Sequence, residues 1–156
     1  MTRLAVLYST LLGIGYTPFA PGTMAALVTL PFGYFLLLYF GAGGVALAGF
    51  VIFVTGIWAS GAHAKSIGRN DPGTSVIDEV AGQLYAMLPI AATGSIADGT
   101  QIAAAFVLFR FFDIVKPWPI SRLERLHGGV GIMADDLAAG LVSAVILYAV
   151  LNWWVM

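Results

Sequence analysis

The chain has no cysteine, and only 10% of its 156 residues are charged. The first absence excludes disulfides, thiolate metal sites and thiol nucleophiles, and leaves the redox compartment open. The second excludes an ordinary soluble surface, because a soluble domain carries roughly a quarter charged residues. Histidine is scarce too. His63 and His127 are the only two, and their separation matches no zinc-ligand spacing. No serine sits in a nucleophile-elbow motif. The formal net charge is −1, so nothing marks a nucleic-acid partner. No protein partner is evident either.

What remains is apolar. Hydrophobic residues make up 60% of the chain, and the mean hydropathy is +0.92. This composition reads as an all-α integral membrane protein, with residues 1–156 as a single membrane domain. A spanning helix needs about 20 mostly apolar residues. The sequence predicts five such helices, over residues 24–40, 45–62, 76–92, 100–115 and 136–154. Pro31 lies inside the first, Gly41 to Gly44 read as a tight turn, and 93–99 as a short polar turn. Lys116-Pro117 closes the fourth helix, residues 119–134 read as a Gly-rich polar loop, and Trp153-Trp154 suits an interface anchor. Residues 4–15 have the length of a signal-peptide core, but no small-x-small cleavage site follows before Pro21-Gly22-Thr23. The expectation is a retained interfacial or re-entrant segment.

Basic residues set the orientation. Five spans place all seven Lys and Arg residues on one side. The positive-inside rule makes that side cytoplasmic, with the N-terminus in and the C-terminus out. Asp71, Asp78, Glu79, Asp113, Glu124, Asp135 and Asp136 fall on the same side, and only Asp98 falls on the other. The positive-inside rule says little about acids. Their clustering therefore points separately to a carboxylate-rich site at the membrane interface.

Asp78-Glu79 and Asp135-Asp136 are each predicted to open a helix. The helix dipole favours acids there, by about 0.3–1 kcal/mol each. Simple capping accounts for one acid per helix more easily than for two adjacent pairs. Carboxylate oxygens also hold hard divalent cations. Arg110, Asp113 and Lys116, at i, i+3 and i+6, share one helical face. They make either a local ion pair with a snorkelling lysine, or a forked phosphate grip, a metal ligand and a point charge. Thr23 reads as an N-cap. The helix it starts also offers free N–H groups to a phosphate. His63 and Lys65 follow the second helix, where a helix C-terminus favours cations.

These residues carry a resemblance. Pro21-Gly22-Thr23, His63 with Lys65, and Val76-Ile77-Asp78-Glu79 with Gly82 form its first part. Phe109-Arg110 with Asp113 and Lys116-Pro117-Trp118-Pro119-Ile120 continue it. His127-Gly128-Gly129, Gly131-Ile132-Met133 and Asp135-Asp136 with Gly140 complete it. Together they are similar to the phosphatidylglycerophosphatase A family over about residues 15–148. One departure is Ala25-Ala26, where the family pattern has Gly-Ser. It weakens the case for a phosphate contact from that turn and leaves the acidic site untouched.

The resemblance implies a Mg²⁺-dependent enzyme of the bacterial inner membrane, its active site facing the cytoplasm. It would hydrolyse the terminal phosphate monoester of phosphatidylglycerophosphate. Asp78, Glu79, Asp113, Asp135 and Asp136 are then expected to bind Mg²⁺ and carry catalysis. Arg110 and Lys116 are expected to hold the phosphate, with Thr23 and Lys65 as secondary candidates. Attack by a metal-activated water is preferred over an aspartyl-phosphate route, since it needs no dedicated nucleophile. Another lipid phosphate as substrate, a small ion- or proton-coupled transporter and a structural membrane subunit stand as alternatives.

Overall fold

The computed structural model describes residues 2–92 and 98–153, all-helical with no strand among the described residues. Helix α1 covers Thr2–Ser9, and a one-turn 3-10 helix covers Ile14–Tyr16. Helix α2 covers Pro21–Ile67, α3 Ile77–Ala92, α4 Gly99–Val115, α5 Ile120–Leu123 and α6 Gly129–Trp153. The expected turn at 93–99 falls largely outside the described residues, as does Trp154 of the expected anchor.

Helix α2 is two arms. Gly41 breaks it at φ 59° and ψ −159°, a backbone conformation that costs an L side chain dearly and glycine little. Phe32, Leu36 and Phe40 of the first arm share an apolar groove with Leu47, Val51 and Ile52 of the second. The arms therefore face one another across the bend. The turn is tighter than the expected 41–44, because helix resumes directly after Gly41. Pro21 starts the first arm, its fixed φ suiting N1, and Ala20 is the N-cap with no side-chain hydrogen bond. Thr23 is thus not the N-cap that its residue type predicts; it lies within the first turn. At the other end Gly68 (φ 66°) closes α2, so His63 and Lys65 belong to its last turns rather than following it.

Helices α2 and α6 are long and apolar enough to cross a membrane; α3 and α4 have 16 and 17 residues. Large apolar side chains such as Phe35, Phe50, Trp58, Val107 and Val145 cover the outer faces. A water-facing surface rarely exposes so many large apolar side chains. Helix α3 is central. Ile77, Val80, Leu84 and Met87 are buried with Leu36, Val45, Met133 and Leu147 of α2 and α6.

One contact fixes the register of the site. A Cβ on Gly140 would collide with the backbone carbonyl of Gly82, its Cα only 2.9 Å away. Helices α3 and α6 therefore touch backbone to backbone at this pair. Asp78-Glu79 lie one turn before Gly82, and Asp135-Asp136 one turn before Gly140. A single close approach between glycines thus brings the two acidic pairs together. The start of α6 differs from expectation for a related reason. Its first turns are Gly129-Val130-Gly131, which the sequence reads as loop. A Cβ at Gly129 would strike the Ile57 carbonyl, and one at Gly131 the Leu126 carbonyl. Close packing overrides the low helix propensity of glycine there.

Candidate active site

The sequence folds so that one end of the helical bundle collects its charge. The start of α2, the start of α3, the end of α4 and the start of α6 surround a cavity of about 400 Å³. Its wall includes Gly22, Asp78, Glu79, Asp113, Lys116, Asp135 and Asp136. Asp71, Glu124, Arg125 and His127 stand around it as well.

A carboxylate oxygen from each of Asp78, Glu79 and Asp136 lies within 4.8 Å of the other two. Asp136 is buried, and Asp78 and Glu79 are half-buried. The bland reading of these acids as first-turn caps holds only for Asp78 and Glu79. Helix α6 begins earlier than expected, so Asp135 and Asp136 lie in its second turn, beyond its unpaired N–H groups.

Two cations stand beside the acids. Arg110 pairs with Asp113 one turn along α4. Lys116 caps α4 in the left-handed region (φ 43°), and its ammonium donates to Asp135 Oδ2 at 2.5 Å. Lys116 therefore leaves the face of Arg110 and Asp113 that its i+6 spacing predicts, and bridges to α6. Burial alone would lower the Lys116 ammonium. The Asp135 hydrogen bond and charge, with Asp136 and Glu124 behind them, instead hold it above the ordinary lysine value.

Five carboxyl groups thus meet two cations. Asp78 Oδ1, Glu79 Oε2, Asp135 Oδ1 and Asp136 Oδ2 are buried with no hydrogen-bond partner among the described residues. Buried carboxylate oxygens in that state are costly unless a cation completes them. Oxygen donors from Asp78, Glu79 and Asp136, gathered within 4.8 Å of one another, are the chemistry that a hard divalent ion takes, so the donor set fits such an ion.

The remaining expected residues are placed differently. Thr23 is not in the cavity wall, whereas Pro21 and Gly22 beside it are. Gly22 is the position that sequence reasoning undervalued. A Cβ there would overlap the Glu79 carboxylate and come within 3.3 Å of Arg110 Nη1. Its place in the Pro-Gly-Thr motif was the available signal. Lys65 is exposed and does not reach the carboxylates; it lines a neighbouring cavity with Arg69. His63 is buried away from the acids, with Nδ1 2.8 Å from Ser9 Oγ. Ser9 Oγ also lies 3.1 Å from the Val6 carbonyl. The Ser9 carbonyl in turn accepts the Val76 N–H at 2.8 Å. The N-terminal segment is thereby tied to the chain just before Asp78.

The chain is similar to known proteins over most of its length. The family model for Phosphatidylglycerophosphatase A matches residues 7–151. Phosphatidylglycerophosphatase A of Escherichia coli is 37% identical, over 91% of this chain and 80% of its own length. Phosphatidylglycerophosphatase A of Haemophilus influenzae is 34% identical, over 90% and 85%. A Bacteroides thetaiotaomicron protein with the provisional name phosphatidylinositol-3-phosphatase is 40% identical, over 96% and 94%. No solved structure matches significantly. The apolar helices and these bacterial relatives together indicate a membrane protein. With a family match across nearly its whole length, the chain belongs to the phosphatidylglycerophosphatase A family.

Proposed function

We propose that this chain is a lipid phosphate monoester hydrolase that converts phosphatidylglycerophosphate to phosphatidylglycerol and phosphate. The observation that carries the reading is the cluster of Asp78, Glu79 and Asp136 beside the Arg110–Asp113 and Lys116–Asp135 pairs. Family membership supplies the substrate. In our reading the two arms of α2, with α3, α4 and α6, make five passes, and the charged end faces the cytoplasm of a bacterial inner membrane. The acyl chains then stay in the bilayer while the headgroup enters the cavity.

Asp78, Glu79 and Asp136, with Asp113 and Asp135, would hold Mg²⁺. When bound, the ion supplies positive charge to the phosphoryl oxygens. The protein does the rest with its own groups. Arg110 offers a planar fork and Lys116 a point charge to the phosphate. Each already stands beside a carboxylate, so phosphate entry exchanges one anion for another without stranding a cation. A carboxylate of the cluster takes the proton from the attacking water. The bond between phosphorus and the glycerol oxygen breaks, and that oxygen takes a proton back from the carboxyl group and leaves as the hydroxyl of phosphatidylglycerol.

The test is phosphate release from phosphatidylglycerophosphate by the detergent-purified protein, with Mg²⁺ and with chelator. Release that chelator abolishes is expected. No release from folded protein would refute the reading. A second reading has one observation in its favour: the name of the Bacteroides relative concerns a different lipid phosphate. Its chemistry at the carboxylates would be identical, and only headgroup selection would change.

A further inference from the structure

Beside the carboxylate cavity lies a second one, of about 410 Å³, that the reaction above does not use. It opens at the last turn of α2 and is lined by Lys65, Gly68, Arg69, Asn70, His127 and Gly128. Asn70, His127 and Gly128 also line the first cavity, so the two meet at a shared wall. The chemistry on either side of that wall differs. The carboxylate cavity has an excess of acids, whereas the second has two cations and no acid in its lining.

Those cations are available. Lys65 and Arg69 are exposed and form no ion pair among the described residues. Of the bases without an ion pair among the described residues, these two share one cavity wall. The helix end beside them is partly capped: the Gly68 and Arg69 N–H groups donate back to the Lys65 and Ala64 carbonyls, which satisfies two of the last carbonyls of α2. Two unpaired bases with the Asn70 amide at their edge form an anion pocket.

We infer that this second cavity binds the phosphodiester of the lipid substrate while the terminal monoester lies over the carboxylates. The inference rests on the phosphatidylglycerophosphatase reading. That substrate carries two phosphates joined by a single glycerol unit. The protein has two adjoining cavities, one built for a phosphate with a cation and one for a phosphate without. A diester carries one negative charge, which matches a site of fixed positive charge and no metal donors. Lys65 and Arg69 then select lipids whose monoester is separated from a diester, and they are specificity residues rather than catalytic ones.

The experiment is steady-state turnover in mixed micelles by the full chain and by Lys65→Gln/Arg69→Gln. Phosphatidylglycerol, which keeps the diester alone, and inorganic phosphate, which resembles the monoester, serve as competing inhibitors. Loss of two charge-assisted contacts raises KM for phosphatidylglycerophosphate by about tenfold or more, with kcat held. The inhibition constant of phosphatidylglycerol rises in parallel, and that of inorganic phosphate does not. An unchanged KM, or a fall in kcat alone, would overturn the inference. An equal rise for inorganic phosphate would also overturn it, by assigning the pocket to free phosphate. Failure of the wild type to turn over would be a failure of the enzyme reading instead. Equilibrium binding of phosphatidylglycerol to wild type and double variant would then decide the pocket by itself: weaker binding by the variant supports it, and equal binding refutes it.

Discussion

Lys116 Nζ lies 2.5 Å from Asp135 Oδ2, joining the end of α4 to the second turn of α6. The Asp135 side chain is only 5% exposed and that of Lys116 27%. Removing the lysine would leave a buried carboxylate without its partner, a loss of about 3 kcal/mol or more. Lys116→Met should therefore lower the unfolding temperature of the metal-free protein, whereas the Lys116→Met/Asp135→Leu pair should recover most of the loss. A single variant as stable as wild type would rule the ion pair out as a support.

The same pair sets a pH dependence. The Lys116 ammonium is held above its ordinary value in the folded chain, by Asp135 against the opposing effect of burial. A raised cation contributes stability that is fully present below the unfolded lysine value of about 10.4 and lost as pH rises through the folded one. Unfolding temperature should thus decline above about pH 10.4 more steeply in wild type than in Lys116→Met. Parallel profiles would show that this lysine does not titrate with folding.

Two glycines separate activity from stability. At Gly22 an added Cβ meets the flexible end of Glu79 and the Arg110 guanidinium. Those groups can move, so Gly22→Ala should fold with little loss, under about 1 kcal/mol, while displacing Glu79 from the cluster and cutting turnover. At Gly140 the added Cβ meets the Gly82 backbone, which cannot move aside. Gly140→Ala should cost about 1–3 kcal/mol or more in stability. Thermal unfolding and kcat measured on both variants check the contrast; equal behaviour of the two would contradict it.

The acidic pairs were legible in the sequence because charge is so scarce. Asp78-Glu79 and Asp135-Asp136 break apolar runs, and membrane-depth acids need a partner. Arg110 with Asp113 was legible from helical spacing. What the sequence hid depended on backbone proximity. Lys65 sits two residues after His63 in the family motif, yet α2 runs on to Ile67 and carries it to the neighbouring cavity. Thr23 has a capping side chain, but the chain enters α2 at Pro21, two residues early. The Gly129–Gly131 stretch reads as loop by propensity and is helix by packing. In each case a residue type gives the local preference, and a contact between distant segments decides the outcome.

The carboxylate cluster makes its own prediction about metal. Asp78, Glu79 and Asp136 crowd like charges, and Asp136 is buried. A cation that binds only the folded state should stabilise it by about 2.7 kcal/mol at one hundred times its dissociation constant. Wild type should therefore unfold at higher temperature with Mg²⁺ than with chelator. Asp78→Asn and Asp136→Asn should lose that increment. In chelator they should be as stable as wild type or more so, because one repelling charge is gone. Turnover should fall about a thousandfold or more, the scale of the several kcal/mol that metal charge gives a transition state. Normal turnover by either variant would remove that residue from the site.

Orientation is testable through the exposed bases. Arg69 and Arg125 are both exposed at the charged end of the bundle. If that end faces the cytoplasm, as the distribution of Lys and Arg argues, sealed inverted vesicles present it outward. Trypsin should then cut after Arg69 and Arg125 without detergent, while right-side-out vesicles should protect both. The two sites flank different helices, on the segments before α3 and before α6. Cutting at both from one side requires an even number of passes between them, which α3 and α4 supply in the five-pass reading proposed above. Cutting at only one of the two would mean that α3 and α4 do not both cross. Protection of both in inverted vesicles would turn the whole site to the outer face, and with it the source of its substrate.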